Sequence, residues 1–127
     1  MHWYFFASYL QLAEEGRKVA ATMHWYYYAA YFFGGAFLAN ALPHFINGIS
    51  GRAFQSPFAK PPGKGVSSSA VNVLWGFFNL IVAYLFIVRV GSFSLHNTWQ
   101  VLAVGAGILL MSLNLARAFS QFHGGRI

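Results

Sequence analysis

Residues 69–88, SAVNVLWGFFNLIVAYLFIV, run for twenty positions without a charged side chain before Arg89 closes the stretch. At about 1.5 Å per helical residue, twenty residues cover about 30 Å, the thickness of a bilayer's hydrocarbon core. Ser67, Ser68 and Ser69 offer N-cap hydroxyls ahead of it, and Gly91 follows as a stop. The reading is a transmembrane helix over 69–90. Two further stretches have the same character. Residues 24–43, HWYYYAAYFFGGAFLANALP, carry no charge and end on Pro43, which is expected to stop the helix. Residues 98–119, TWQVLAVGAGILLMSLNLARAF, are uncharged up to Arg117, and 120–127 form a short tail.

Composition agrees with this partition. The chain is 57% hydrophobic, 20% aromatic and only 8% charged, against about 25% charged in soluble domains. So few charges cannot cover a water-facing surface, and most of the exterior must face lipid. The expected fold is an all-α integral membrane protein. It has three transmembrane helices, an N-terminal interfacial helix over 1–22 and a structured Pro/Gly/Phe loop over 44–68.

The counts also exclude chemistry. There is no Cys, so disulfides, thiolate nucleophiles, thiolate zinc sites and iron–sulfur clusters are ruled out. Glu14 and Glu15 are the only carboxylates, and with no Asp a Ser-His-Asp triad, an EF-hand, a carboxylate-pair hydrolase or a Walker-type magnesium site lacks parts. No autonomous enzyme is expected. The net charge of +6 comes from eight Lys and Arg spread along the chain, which suits anionic lipid head groups rather than nucleic acid. KPPGKGVSSS at 60–69 fails as a phosphate loop, because Gly65 follows Lys64 where Ser or Thr is required.

Three crossings put the chain ends on opposite sides. With the N-terminus outside, Arg52, Lys60, Lys64, Arg117 and Arg126 fall inside and Arg17, Lys18 and Arg89 outside, which favours N-out in an inner (cytoplasmic) membrane. The opening MHWYFFASYL recurs at position 23 as MHWYYYAAYF with six of ten residues identical. One reading is an interfacial helix whose His, Trp and Tyr suit head groups and whose Glu14 and Lys18 stand at i,i+4. The other takes Met23 as an alternative initiator. A secretory signal is not expected.

The loop HFINGISGRAFQSPFAKPPGKGVSS, 44–68, is the segment richest in information. All four prolines lie between Pro43 and Pro62, and Phe45, Phe54 and Phe58 recur among glycines as apolar anchors. A connection this long is functional or disordered, and the phenylalanines argue for order. Its expected contact residues are His44, Phe45, Arg52, Phe54, Pro57, Phe58, Lys60 and Lys64, with the three cations among head groups. Together with VNVLWGFFNL, the run from Pro43 through Ser68 resembles small, uncharacterised bacterial integral membrane proteins with Pro-His-Phe and Ser-Pro-Phe elements before a Trp-Gly helix. The resemblance covers about residues 23–90. It implies a membrane location and a bacterial source, and no catalytic role.

Within the spans, Asn72, Gly76, Asn79 and Ala83 follow i, i+4, i+7, i+11 on one helix face. Gly35 with Ala39, and Ala30 with Gly34, form small-xxx-small pairs, and Gly105, Ser112 and Ala116 make a stripe in the third span. Helix packing is the favoured reading. The alternative is a polar path through an oligomer, lined by Asn40, Asn72, Asn79 and Asn114. The histidines allow two depth-matched pairs, His24 with His96 and His44 with His123, as haem or metal ligands, though interfacial anchoring accounts for them more simply.

Three functions follow, in order. The first is a small accessory or structural subunit of a larger membrane complex, packing through aromatic helix faces and the 44–68 loop against protein, lipid or pigment. The second is a homo-oligomeric channel or transporter for a small solute. The third is a haem- or metal-binding redox protein. No cofactor is expected under the first reading.

Overall fold

The computed structural model describes residues 2–127, apart from the side chains of residues 19–24. Helix α1 spans His2–Ile49, a two-strand hairpin pairs β1 (Phe54–Gln55) with β2 (Val66–Ser67), α2 spans Ser69–Tyr84 and α3 spans Thr98–His123. The chain is all-helical apart from that hairpin. Stretches Trp25–Ile49, Ser69–Arg89 and Thr98–His123 are long and apolar enough to cross a membrane, as a multi-pass membrane protein requires.

The largest departure from expectation is α1, whose 48 residues form one helix of about 72 Å. It continues through Pro43, so His44–Ile49, expected in the loop, are helical. A proline inside a helix removes one donor and crowds the carbonyl four residues back. In an apolar medium any non-helical alternative would leave more backbone groups unsatisfied, which is why spanning helices tolerate the residue. The helix ends instead at Gly51, whose φ of +75° is the left-handed conformation that glycine adopts without strain. Ser50 N donates to Ile46 O at 3.1 Å and Arg52 N to Asn47 O at 2.9 Å, closing the last turn.

The other ends follow local chemistry. Ser68 Oγ accepts from Val71 N at 3.2 Å to cap α2, and Asn97 Oδ1 accepts from Gln100 N at 3.2 Å to cap α3. Beyond Tyr84 the second span continues as a π-helical turn, Leu85–Arg89. The third runs past the expected 119 to His123, where Gly124 turns left-handed at φ +72°.

Helix α1 is the central element, and α2 and α3 each pack mainly on it. The core between them is made of small residues, Ala30, Ala36, Ala39, Ala41 and Ala83, together with Tyr31. Close approach is compulsory at two crossings. A Cβ on Gly76 would stand 2.6 Å from Phe45 N, and one on Gly107 would meet the carbonyl oxygen of Phe32. Lacking a hydrophobic drive between helices in lipid, such backbone proximity is what supplies the contact. Accessible surface is 9060 Å², whereas a compact protein of 14.1 kDa exposes about 6,700 Å². The fold is therefore open, with most of α3 and the N-terminal part of α1 uncovered. In that part Glu14 pairs with Arg17 at 2.8 Å, both exposed.

Candidate functional site

Asn40, His44, Asn72 and Asn79 gather toward one end of the bundle, where the end of α1, the start of α2, the end of α3 and the hairpin meet. The hub is Asn72, fully buried on α2. Its Nδ2 faces three carbonyl oxygens, Phe54 at 3.1 Å, Ser67 at 3.2 Å and Ser68 at 3.1 Å. That sets the amide's orientation, leaving Oδ1 as an acceptor. His44 Nδ1 lies 2.9 Å from Oδ1, so Nδ1–H donates, and in the neutral ring Nε2 carries the lone pair.

Aromatic rings enclose the imidazole. His44 meets Phe54, Phe119 and Trp75 edge-on at centroid separations of 5.5, 6.2 and 6.3 Å. Phe54 also stacks on His123 at 5.1 Å, and the His123 Nε2–H donates to Gln55 Oε1 at 2.8 Å. The hairpin is thereby fastened to α3 as well as to α2. Its own fold is held by Ser56 Oγ and Ser67 Oγ, 2.5 Å apart, and by Gly63 N donating to Ser56 O at 2.9 Å. One turn deeper, Asn40 Nδ2 donates to Asn79 Oδ1 at 3.0 Å while Asn79 Nδ2 donates to Trp75 O at 2.8 Å.

A cavity of about 210 Å³ opens among these groups, with Asn40, His44, Gln55, Ser56, Trp75 and Phe119 in its walls. No charged residue lines it. Next to it, on the outward side of α2, Phe58, Val71, Leu74, Trp75 and Phe78 form an apolar groove of about 500 Å³. Among the described residues Trp75 Nε1 is the one sealed side-chain polar atom with no hydrogen-bond partner.

The structure brings His44, Phe54, Pro57 and Phe58 to this cluster, with Asn40, Asn72 and Asn79. Phe45 lies against Gly76 in the α1–α2 crossing. Arg52 Nε donates to Asn47 Oδ1 at 2.9 Å, while Lys60 and Lys64 stand exposed on the hairpin. Asn114 is apart from the others, exposed on α3. The amides of Asn72 and Asn79 are spent on bonds within the chain. Of the histidine pairs, His44 and His123 both contact Phe54. His96 is exposed, and the His24 side chain lies outside the described residues. No group of three or more His, Cys, Asp or Glu able to hold a metal ion occurs among the described residues. Gln55, Ser56, Trp75 and Phe119 enter the site unannounced. Trp75 and Phe119 had a signal in the sequence, standing three residues after Asn72 and four before His123 on their helices. Gln55 and Ser56 had none until the hairpin register is known. No protein-family model, curated protein or solved structure matches the chain.

Proposed function

We propose that the protein is a small accessory subunit of a larger membrane complex, docking through the outer surface of α3. The observation that carries the reading is Asn114. It is exposed on α3, makes no side-chain hydrogen bond with the described residues, and stands about 5 Å from the middle of the helix. An amide at that depth needs a partner, and hydrocarbon provides none. Only 6% of the most apolar stretch of α3 is buried, so the surface around Asn114 is available to another protein. Orientation follows the cation count. The hairpin and the end of α3 share one face of the bundle through His123 and Gln55, and that face carries Arg52, Lys60, Lys64 and Arg126. We assign it to the cytoplasmic side of an inner membrane, among anionic head groups.

Asn114→Leu tests the docking directly. An interhelical hydrogen bond contributes about 0.6–2 kcal/mol, so the variant should hold its partner about threefold to thirtyfold more weakly while its helical circular dichroism is unchanged. Partner retention equal to wild type on native gels would sink the proposal. Because the chain has no cysteine, a single cysteine at Leu110, exposed and one turn before Asn114 on the same face, gives a clean cross-linking site.

A further inference from the structure

His44 is 3% exposed, yet its Nε2 is not sealed. Nδ1 is committed to Asn72, no hydrogen bond to Nε2 occurs among the described residues, and His44 is one of the residues that line the cavity. The cavity therefore presents a buried lone pair that asks for a donor. Asn40 Oδ1 adds a second acceptor, since the bond to Asn79 uses only Nδ2. With no charged residue in the walls, an anionic head group such as a phosphate has no counter-charge there, and a cation has no carboxylate. What fits is a neutral hydroxyl.

Position and neighbourhood supply the rest of the ligand. His44 is five residues before the end of α1, about 7 Å inside the span, just beneath the head-group level. The apolar groove shares the Trp75 wall with the cavity, and its rim residues Phe58, Leu74 and Phe78 are exposed where lipid tails run. We propose that cavity and groove together bind one uncharged amphiphile, its O–H donated to His44 Nε2 and its tail laid along Phe58, Leu74 and Phe78. The site touches α3 only at its end, through Phe119, and does not include Asn114, so the two readings are tested separately.

Trp75 is a built-in reporter. The other tryptophans, Trp3, Trp25 and Trp99, are 82%, 69% and 73% exposed and can be replaced by Phe. In nanodiscs of phosphatidylcholine, a brominated diacylglycerol should quench Trp75 at about tenfold lower mole fraction than brominated phosphatidylcholine, the effect of one hydrogen bond to a buried group. The 3-O-methyl ether of the same diacylglycerol, which cannot donate, should lose that advantage, and so should His44→Phe. Leu74→Phe, which narrows the groove on an exposed helix face, should weaken quenching without touching the buried network, so the idea does not hang on one variant's folding. Unlabelled long-chain hydroquinone separates two sources of the same chemistry. If it displaces the bromolipid the hydroxyl site accepts an aromatic head, and if it does not the site is confined to an aliphatic one. Equal quenching by diacylglycerol, its ether and phosphatidylcholine would overturn the proposal.

Discussion

Gly107→Leu should detach α3 from α1. The backbone of α3 approaches α1 so closely at this residue that an added Cβ would overlap the Phe32 carbonyl oxygen and come within 3.0 Å of Ala36 N. Backbone atoms cannot swing aside as a side chain can, so the helices must separate. Overpacking of an interior costs about 1–3 kcal/mol, and a whole leucine at a backbone contact should reach or exceed the upper figure. The consequence travels to the hairpin, because Phe119 and His123 hold Phe54 and Gln55 only while α3 is seated. Unfolding in detergent, followed by circular dichroism, should shift to clearly lower denaturant. Gly105→Leu is the matched control, since a Cβ there meets nothing within 4 Å. Equal stability of the two variants would refute the crossing as described.

The second large effect is expected from Asn72→Asp, which keeps the shape and reverses the chemistry. Two carboxylate oxygens would replace a donor that now faces the carbonyls of Phe54, Ser67 and Ser68, setting oxygen against oxygen at about 3 Å in a fully buried position. A buried carboxylate whose one remaining donor is the His44 Nδ1–H is under-compensated, at a cost of about 3–5 kcal/mol. The hairpin should open locally before the helices do, because α2 keeps its crossing at Gly76. Amide exchange at Ser56, Gly63 and Gly65, whose N–H groups now bond within the hairpin, should therefore accelerate by at least about a hundredfold, or about 2.7 kcal/mol. Exchange no faster than in the unsubstituted protein would show that the three carbonyls do not depend on this donor.

These two residues also show what is legible before folding. Asn72, Gly76, Asn79 and Ala83 share a face by spacing alone, and they are the four buried residues of α2. Helical periodicity is local information, so a membrane helix announces its packed face. Pro43 illustrates the opposite case. In water it would end a helix, and only the apolar surroundings and a glycine at position 51 explain why α1 runs six residues further. The site was half visible. His44, Asn72 and the phenylalanines of the loop stand out as residue types, but their meeting depends on pairing Phe54 with Ser67 and on α3 returning Phe119 and His123 to the same end. Those are long-range contacts with no spacing rule to disclose them. Gln55 and Ser56 acquire a role only through that register. Asn114 looked like one more amide of a polar face, and its isolation on α3 is what separates it from Asn40, Asn72 and Asn79.

The proposed docking of α3 against a different membrane protein is open to a direct test. The measurement is native mass spectrometry of the protein, released gently from the membranes in which it is made at its natural abundance. The 14.1 kDa chain should leave the membrane bound to larger, different polypeptides, and the bound fraction should fall in the Asn114→Leu strain. A chain that emerges alone, or only in multiples of its own mass, would contradict the claim, and the second of these outcomes would turn attention to a self-assembled channel.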